Sequence, residues 1–293
     1  MTLILPTTDR PVRLTLARDL TRSLRRGHPW VFADALRDTP RAEVGAHAEL
    51  SDRRGKPVAR GFYDPTSPLA FRSCTVTRKG TLDDAWASAQ LEAAVILRDL
   101  VIDRDTTTGY RLVNGEGDGL PGLVIDVYGD TAVLKLDGPA PAAFWDAAGI
   151  AAWTANRLGL ARVYQRDRTR GGPAGRPLIG DTPTDPVSFI EHGVTFTADV
   201  VRGQKTGFFL DQRENRQLVR TMAEGRRTLN VFGYTGGFSV YAGAGGASQV
   251  TTVDIAKPAI AAAEANMALN GLTDRHEAVA RDAFDFLDEA ASE

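Results

Sequence analysis

The residues best equipped for chemistry lie toward the carboxyl end. Thr228-Leu229-Asn230-Val231-Phe232 is an apolar β-run of the kind that sits inside a parallel sheet; it stops at Gly233-Tyr234-Thr235-Gly236-Gly237, and a helix starts near Phe238. Glycines at such a strand end let backbone approach a ligand closely, and the first amides of the helix suit a carboxylate or phosphate. Taken alone, the turn also fits an ordinary tight connection. Asp254 sharpens the reading, because it closes the next strand, 249–254, roughly 20 residues on, where an acid accepts both hydroxyls of a ribose. The strand near 277–281 ends in Asp282, placed to accept from an adenine amino group. The ordinary alternative for either acid is a helix N-cap. Three strand ends thus converge on one nucleoside. The turn is not Gly-x-Gly-x-x-Gly and carries Tyr234 and Thr235 where a pyrophosphate needs bare glycine, which disfavours a nicotinamide enzyme and favours a methyltransferase binding S-adenosyl-L-methionine.

The elements that must hold these residues alternate. A half-buried strand (Val194, Phe196, Ala198, Val200), a charged helix over 211–222, and then strand, helix, strand, helix and strand imply parallel pairing with crossover helices, an α/β sheet. Short β-runs at 12–16, 48–50 and 57–63 suggest a small amino-terminal barrel, with a short basic helix over 19–26. From Leu82 the period becomes helical, with Trp86, Ala89, Ala93, Ile96, Leu97 and Leu100 on one face, so a boundary is expected near Gly80. Strands over 122–128 and 131–136, separated by Gly129-Asp130, read as a hairpin; an Ala-rich helix follows over 141–158, a strand over 162–165, and a Gly/Arg-rich connector over 166–177. The expected domains are a barrel over 10–80, a central α+β domain over 81–188 and a Rossmann-like domain over 189–293.

The chain has 293 residues, 43% of them hydrophobic, enough for more than one core. No apolar run reaches the roughly 18 residues of a membrane helix and no signal peptide opens the chain, so the expected location is the cytoplasm. Cys74 is the only cysteine and the four His are scattered, which gives neither an internal disulfide nor a metal-ligand spacing; Cys74 reads as a buried structural thiol. The net charge of -2 hides a surplus of +7 in residues 1–80, where 15 Lys and Arg face 8 Asp and Glu. A basic first domain rich in Arg is the footprint of phosphate-backbone binding, or simply a solvated arginine-rich surface. Arg22, Arg25 and Arg26 stand beside the aromatic run His28, Trp30 and Phe32, and Arg22, Arg25, Arg26, His28 and Trp30 are the candidate RNA contacts.

Leu229-Asn230-Val231-Phe232-Gly233-Tyr234-Thr235-Gly236-Gly237-Phe238 resembles motif I of the RlmI-like family of 23S rRNA cytosine-5 methyltransferases, and Gly203-Gln204-Lys205-Thr206-Gly207-Phe208-Phe209-Leu210-Asp211-Gln212-Arg213 resembles the segment before it. Asn266-x-x-x-Asn270-Gly271 is also similar. Arg25-Arg26-Gly27-His28-Pro29-Trp30-Val31-Phe32 resembles that family's PUA domain, and Asn114-Gly115-Glu116-Gly117-Asp118-Gly119-Leu120-Pro121-Gly122 its middle domain. The resemblance implies that Phe232, Gly233, Tyr234, Thr235 and Gly236 hold the methionine end of S-adenosyl-L-methionine, Asp254 the ribose with Ile255 beside it, and Asp282 and Ala283 the adenine. It places Lys205, Phe208, Asp211 and Arg213 in the same cleft. Without it, Lys205 reads as a solvated turn residue, Phe208 as core, and Asp211 and Arg213 as helix-start charges.

The family pattern continues with a fourth strand ending in Asp-Pro-Pro and a catalytic Cys, and this sequence supplies neither before Glu293. The expectation is therefore a truncated chain with no catalytic residue of its own, inactive alone, whose Asn230 strand has a bare edge. The partner implied is RNA, 23S rRNA in particular, and a homodimer is one assembly to test. An RNA guanine N2 methyltransferase, which needs no Cys, and a non-catalytic RNA- or cofactor-binding module are the alternatives.

Overall fold

The computed structural model describes residues 1–6, 10–76, 81–167 and 175–292. The chain forms two compact units: Met1–Val101, Arg111–Asp126 and Asp130–Thr182 make the first, and Ile102–Tyr110, Val127–Gly129 and Pro183–Glu293 the second. Gly80, the expected boundary, lies outside the described residues.

The first unit opens with β1 (Val12–Thr15), α1 (Thr21–Arg25), β2 (Trp30–Val31), β3 (Ala46–Ser51), β4 (Pro57–Tyr63) and β5 (Phe71–Thr75). These strands form one sheet in the order β1-β3-β4-β5-β2. Pairing is parallel between β1 and β3 and antiparallel elsewhere. Period-two alternation turns Leu14, Leu50 and Phe71 into a core they share with Leu24 of α1 and Val31 of β2.

The unit continues with α2 (Asp84–Val101), β6 (Gly109–Asn114), β7 (Leu123–Tyr128), β8 (Thr131–Leu136), α3 (Pro139–Phe144), α4 (Ala147–Leu158), β9 (Arg162–Arg166) and β10 (Gly175–Ile179), with sheet order β10-β9-β8-β7-β6. Three expectations change here. The buried stripe of α2 is Ala87, Leu91, Ala94 and Val95, whereas Ile96, Leu97 and Leu100 are exposed. Small residues at helical spacing made the better packing face, and counting only the large ones chose the wrong side. The helix expected over 141–158 is two helices. Trp145 is extended, its indole N–H donates to the Pro121 carbonyl (2.9 Å), and Asp146 caps α4 through the amides of Ala148 and Gly149. Part of the expected connector is a strand: β10 pairs antiparallel with β9 at the edge of its sheet, where Pro177 is tolerated. Residues 168–174 of that connector lie outside the described residues.

The second unit holds the hairpin β11 (Val187–Glu191) and β12 (Val194–Ala198), closed by His192 and Gly193 with φ of 48° and 76°, the two positive values a type I′ turn requires. After a short 3-10 turn at Leu210–Gln212 come α5 (Arg213–Met222), β13 (Arg227–Val231), α6 (Gly237–Ala244), β14 (Gln249–Asp254), α7 (Lys257–Leu269), β15 (His276–Ala280) and α8 (Ala283–Ala290). The strands form a parallel sheet, β13-β14-β15, with Val231, Val253 and Val279 in register. That register brings Phe232, Asp254 and the residues after Ala280 to one edge, as the alternation of elements requires. Phe189, Phe196 and Phe208 pack together beneath, with ring centroids 5.0 to 5.7 Å apart. No helix among the described residues is long and apolar enough to cross a membrane.

Candidate cofactor site

At the carboxyl ends of β13 and β14 the second unit opens a cavity of about 910 Å³, within the usual range for a small-molecule site. Its wall is the turn 232–235, the start of α6 at Gly237 and Phe238, Asp254, the start of α7 at Pro258 and Ala259, and the segment around Gly203, Gln204, Phe208 and Phe209.

The turn is shaped by packing from below. A Cβ on Gly233 would lie 2.4 Å from the Thr252 methyl, and Gly236 has φ 74° with Ala263 2.8 Å from where its Cβ would be. Both positions therefore exclude side chains. Phe232 and Tyr234 also adopt left-handed backbone, φ 56° and 47°, a conformation that costs a non-glycine residue on the order of 1 kcal/mol or more. Tyr234 is held there from three sides. Its amide donates to Asp254 Oδ2 (2.9 Å), its hydroxyl accepts from the Gln204 amide (2.9 Å), and its ring meets Phe209 edge-on at 5.4 Å.

Asp254 also accepts from the Ala256 amide through Oδ1 (2.9 Å), so each carboxylate oxygen has one backbone donor and keeps a lone pair for a ligand. A polar chain runs under the turn from Asn230 through the hydroxyls of Ser239 and Thr252 to His276 Nε2. Burial lowers the His276 pKa, which favours the neutral ring this chain needs. Asn266, fully buried, donates to the Thr235 carbonyl (2.9 Å) and accepts from the Thr197 amide (3.0 Å), while Asn270 bonds both backbone groups of Thr195. The Asn-x-x-x-Asn pair thus lies on one face of α7 and stitches it to β12 and to the turn.

The group that the strand-end pattern implies is tested by what the cavity leaves unsatisfied. Thr235 Oγ1 is buried without a hydrogen-bond partner although Thr235 lines the cavity. The first amides of α6 lack intrahelical acceptors. Asp254 offers its spare lone pairs, and Phe232, Ile255 and Phe284 expose large apolar surfaces at the ends of the three strands. Hydroxyl acceptor, carboxylate-seeking amides and apolar cover together fit an adenosyl amino acid.

Of the sequence-derived residues, Phe208, Phe232, Gly233, Tyr234, Thr235 and Asp254 line the cavity. Gly236, Ile255, Lys205, Asp211, Arg213, Asp282 and Ala283 do not. Asp282 caps α8 through the amides of Phe284 (2.8 Å) and Asp285 (3.2 Å), using Oδ1 for both. Ala283 is buried in α8. Lys205 pairs with Asp211 at 3.2 Å, and Arg213 with its neighbour Glu214 at 2.9 Å. Burial raises and the Lys205 ammonium lowers the Asp211 pKa, and the net direction is down. Sequence reasoning missed Arg216. Its guanidinium, 2% exposed, makes a bidentate pair with Glu191 (2.7 and 2.8 Å), donates to the Phe209 carbonyl (2.9 Å) and lies 4.6 Å from the Phe208 ring. The helix-start charges of α5 drew attention instead, and nothing in the sequence distinguishes one Arg of a polar helix as buried. Phe284 carried a usable signal, an apolar residue following the acid at a strand end.

In the first unit Arg22, Arg25, Arg26 and His28 are exposed, and Trp30 is 39% exposed. Cys74 is buried, and burial pushes its thiol pKa well up.

A parallel α/β sheet whose strand ends present a glycine-bearing turn and an acid to one cavity defines a protein that binds a nucleoside-containing cofactor. Residues 144–284 match the family described as S-adenosylmethionine-dependent methyltransferase, and residues 14–75 match a PUA-like domain. The chain is 42% identical over 292 residues to the ribosomal RNA large subunit methyltransferase of Deinococcus radiodurans, covering 94% of this chain and 71% of that one. It is 38% identical over 287 residues to ribosomal RNA large subunit methyltransferase I of Photobacterium profundum, with the same coverage. A SAM-dependent methyltransferase structure from Streptococcus mutans shares the fold, with a TM-score of 0.83 at 24% identity over 96% of this chain and 73% of that one. This chain belongs to the ribosomal RNA large subunit methyltransferase family, with an amino-terminal PUA-like domain and an S-adenosylmethionine-dependent methyltransferase fold.

Proposed function

We propose that this chain docks 23S rRNA and holds the methyl donor for transfer to cytosine C5, in the cytoplasm. In this reading residues 10–80 bind RNA, 81–188 form a central α+β domain and 189–293 bind the cofactor. The observation that carries it is the Asp254–Tyr234 junction, where the ribose-accepting carboxylate is fixed by the same turn that faces the methionine end. Phe232 to Gly236 receive the amino acid moiety and Thr235 Oγ1 finds its missing partner there. Asp254 accepts the ribose hydroxyls beside Ile255. Asp282, whose Oδ2 is unused in capping, accepts from the adenine edge near Ala283. Lys205, Phe208, Asp211 and Arg213 act from the opposite wall, Lys205 and Asp211 as a pair.

S-adenosylmethionine supplies an electrophilic methyl group when bound. Transfer to a pyrimidine C5 requires a thiolate that adds to C6 and makes C5 nucleophilic. Cys74 is not that thiolate, since it is buried, its pKa is raised, and it is not in the cavity wall. The same observation favours a second reading, methylation of a guanine N2 amine, which needs no thiolate. Mass spectrometry of 23S rRNA nucleosides from cells with the gene disrupted decides between them. Loss of 5-methylcytidine at one position is expected; loss of N2-methylguanosine would favour the second reading. Unchanged rRNA methylation by a protein that still binds cofactor would indicate a non-catalytic module.

A further inference from the structure

The segment following α1 departs from the usual alternation of a surface strand. His28, Trp30 and Phe32 point outward, with Trp30 39% and Phe32 45% exposed, while Val31 between them is fully buried in the core. The chain is extended here: Trp30 and Val31 form β2, and Phe32 has φ -80° and ψ 155°. Residues two apart on such a chain share a face about 7 Å from one another. Three flat rings therefore follow one another along an exposed edge where polar side chains are the norm.

The middle ring is fixed in place. Trp30 stands opposite Arg72 in the β2–β5 register, and both reach Glu116: the indole N–H donates to Glu116 Oε1 at 2.9 Å, and Arg72 Nη1 donates to the same oxygen at 2.5 Å. Burial pushes the Glu116 carboxyl pKa up, but the indole and guanidinium donors outweigh it and the net direction is down, so the carboxylate stays charged to hold both. His28 adds a second constraint. Its Nδ1 accepts from the Trp30 amide (3.3 Å), and its ring stands edge-on to the indole at 6.4 Å. The polar edge of the indole is thus tied to protein while ring surface stays in solvent. Arg22, Arg25 and Arg26, on or just after α1, are exposed and make no ion pair among the described residues, and the chain returns from them to His28 through the Ser23 carbonyl (3.1 Å).

We propose that Trp30 and Phe32 form a stacking track for successive unpaired bases of RNA, with the indole plane preset by Glu116 and the arginines of α1 gripping the adjoining backbone. Aromatic rings presented side by side stack unpaired bases whatever their sequence, whereas duplex bases are already stacked and cannot reach them. The inference rests on the RNA-docking reading and narrows it to single-stranded substrate.

The test is equilibrium binding of the full chain to a fluorescein-labelled single-stranded 12-nucleotide RNA and to the same sequence as a duplex, across a salt series. Trp30→Ala is expected to weaken single-strand binding roughly ten-fold or more while leaving the salt slope unchanged, and Trp30→Phe to weaken it far less. Arg25→Ala with Arg26→Ala should instead reduce the salt slope by roughly one unit. Of the four tryptophans, Trp145 is buried and Trp86 and Trp153 are half-buried, so RNA should quench emission in the parent and not in Trp30→Phe. Weaker binding by Trp30→Ala without quenching in the parent would make Trp30 structural and overturn the proposal, as would a preference for the duplex. If the arginine variants weaken binding while the Trp30 and Phe32 variants do not, RNA docking stands and the track fails. If no variant changes affinity, the docking reading fails with it. Should Trp30→Ala not fold, Trp30→Phe, Phe32→Ala and the quenching decide alone.

Discussion

The two candidate binding regions are built on opposite terms. In the second unit nearly every polar group around the cavity is already engaged: both Asp254 oxygens, the Tyr234 hydroxyl, both ends of the Asn266 amide and all of Arg216. On α1 of the first unit the arginines engage nothing charged. A site for one rigid small molecule gains from side chains fixed beforehand, because their ordering cost is met in folding rather than in binding. A surface for a polyanion gains from cations free to follow the phosphates and from the counterions that leave with them. Substitutions should therefore cost stability in the first region and affinity in the second.

The largest expected effect is at Arg216. Replacing it with Met strands Glu191 as an uncompensated buried charge, and about 3–5 kcal/mol of stability should be lost in urea unfolding. A loss under about 1 kcal/mol would show that the pair is dispensable and the cavity wall less fixed than described. Asn266→Ala comes next, because it leaves the buried Thr197 amide and Thr235 carbonyl without their side-chain partner; about 1–3 kcal/mol is expected, with weaker cofactor binding. Arg25→Ala with Arg26→Ala should stay within about 0.5 kcal/mol of the parent in stability. A marked destabilisation there would erase the contrast.

A smaller effect is expected from acid. Glu116 has its pKa lowered by folding, so its stabilisation is complete above the ordinary value of 4.5 and is lost as the pH falls below it. Glu116→Gln should flatten the melting-temperature profile below about pH 4.5 relative to the parent. Identical profiles would remove the indole anchor from the account.

The β-α-β order, the Gly233–Gly237 turn and Asp254 were legible because strand and helix periods and a strand-end acid are local signals. The hairpin at His192-Gly193, the split at Trp145 and the strand β10 were not. The first two depend on backbone angles and on one indole finding the Pro121 carbonyl, and β10 lies in Gly/Arg-rich sequence that resembles a linker. The α2 face went to Ala87, Leu91, Ala94 and Val95 because fit to the neighbouring layer outweighed side-chain size. Asp254 and Asp282 read alike in sequence, yet one shares its carboxylate with the cavity-lining turn and the other spends an oxygen capping α8.

That last difference gives the most direct measurement. Isothermal titration of S-adenosylhomocysteine into the parent, Asp254→Ala and Asp282→Ala should show binding weakened at least about 100-fold by the first substitution, which removes two charge-assisted acceptors and the tether of Tyr234. The second should weaken it roughly ten-fold or less, the value of one hydrogen bond. Binding by Asp254→Ala within about two-fold of the parent would contradict the placement of the ribose, and with it the cofactor site.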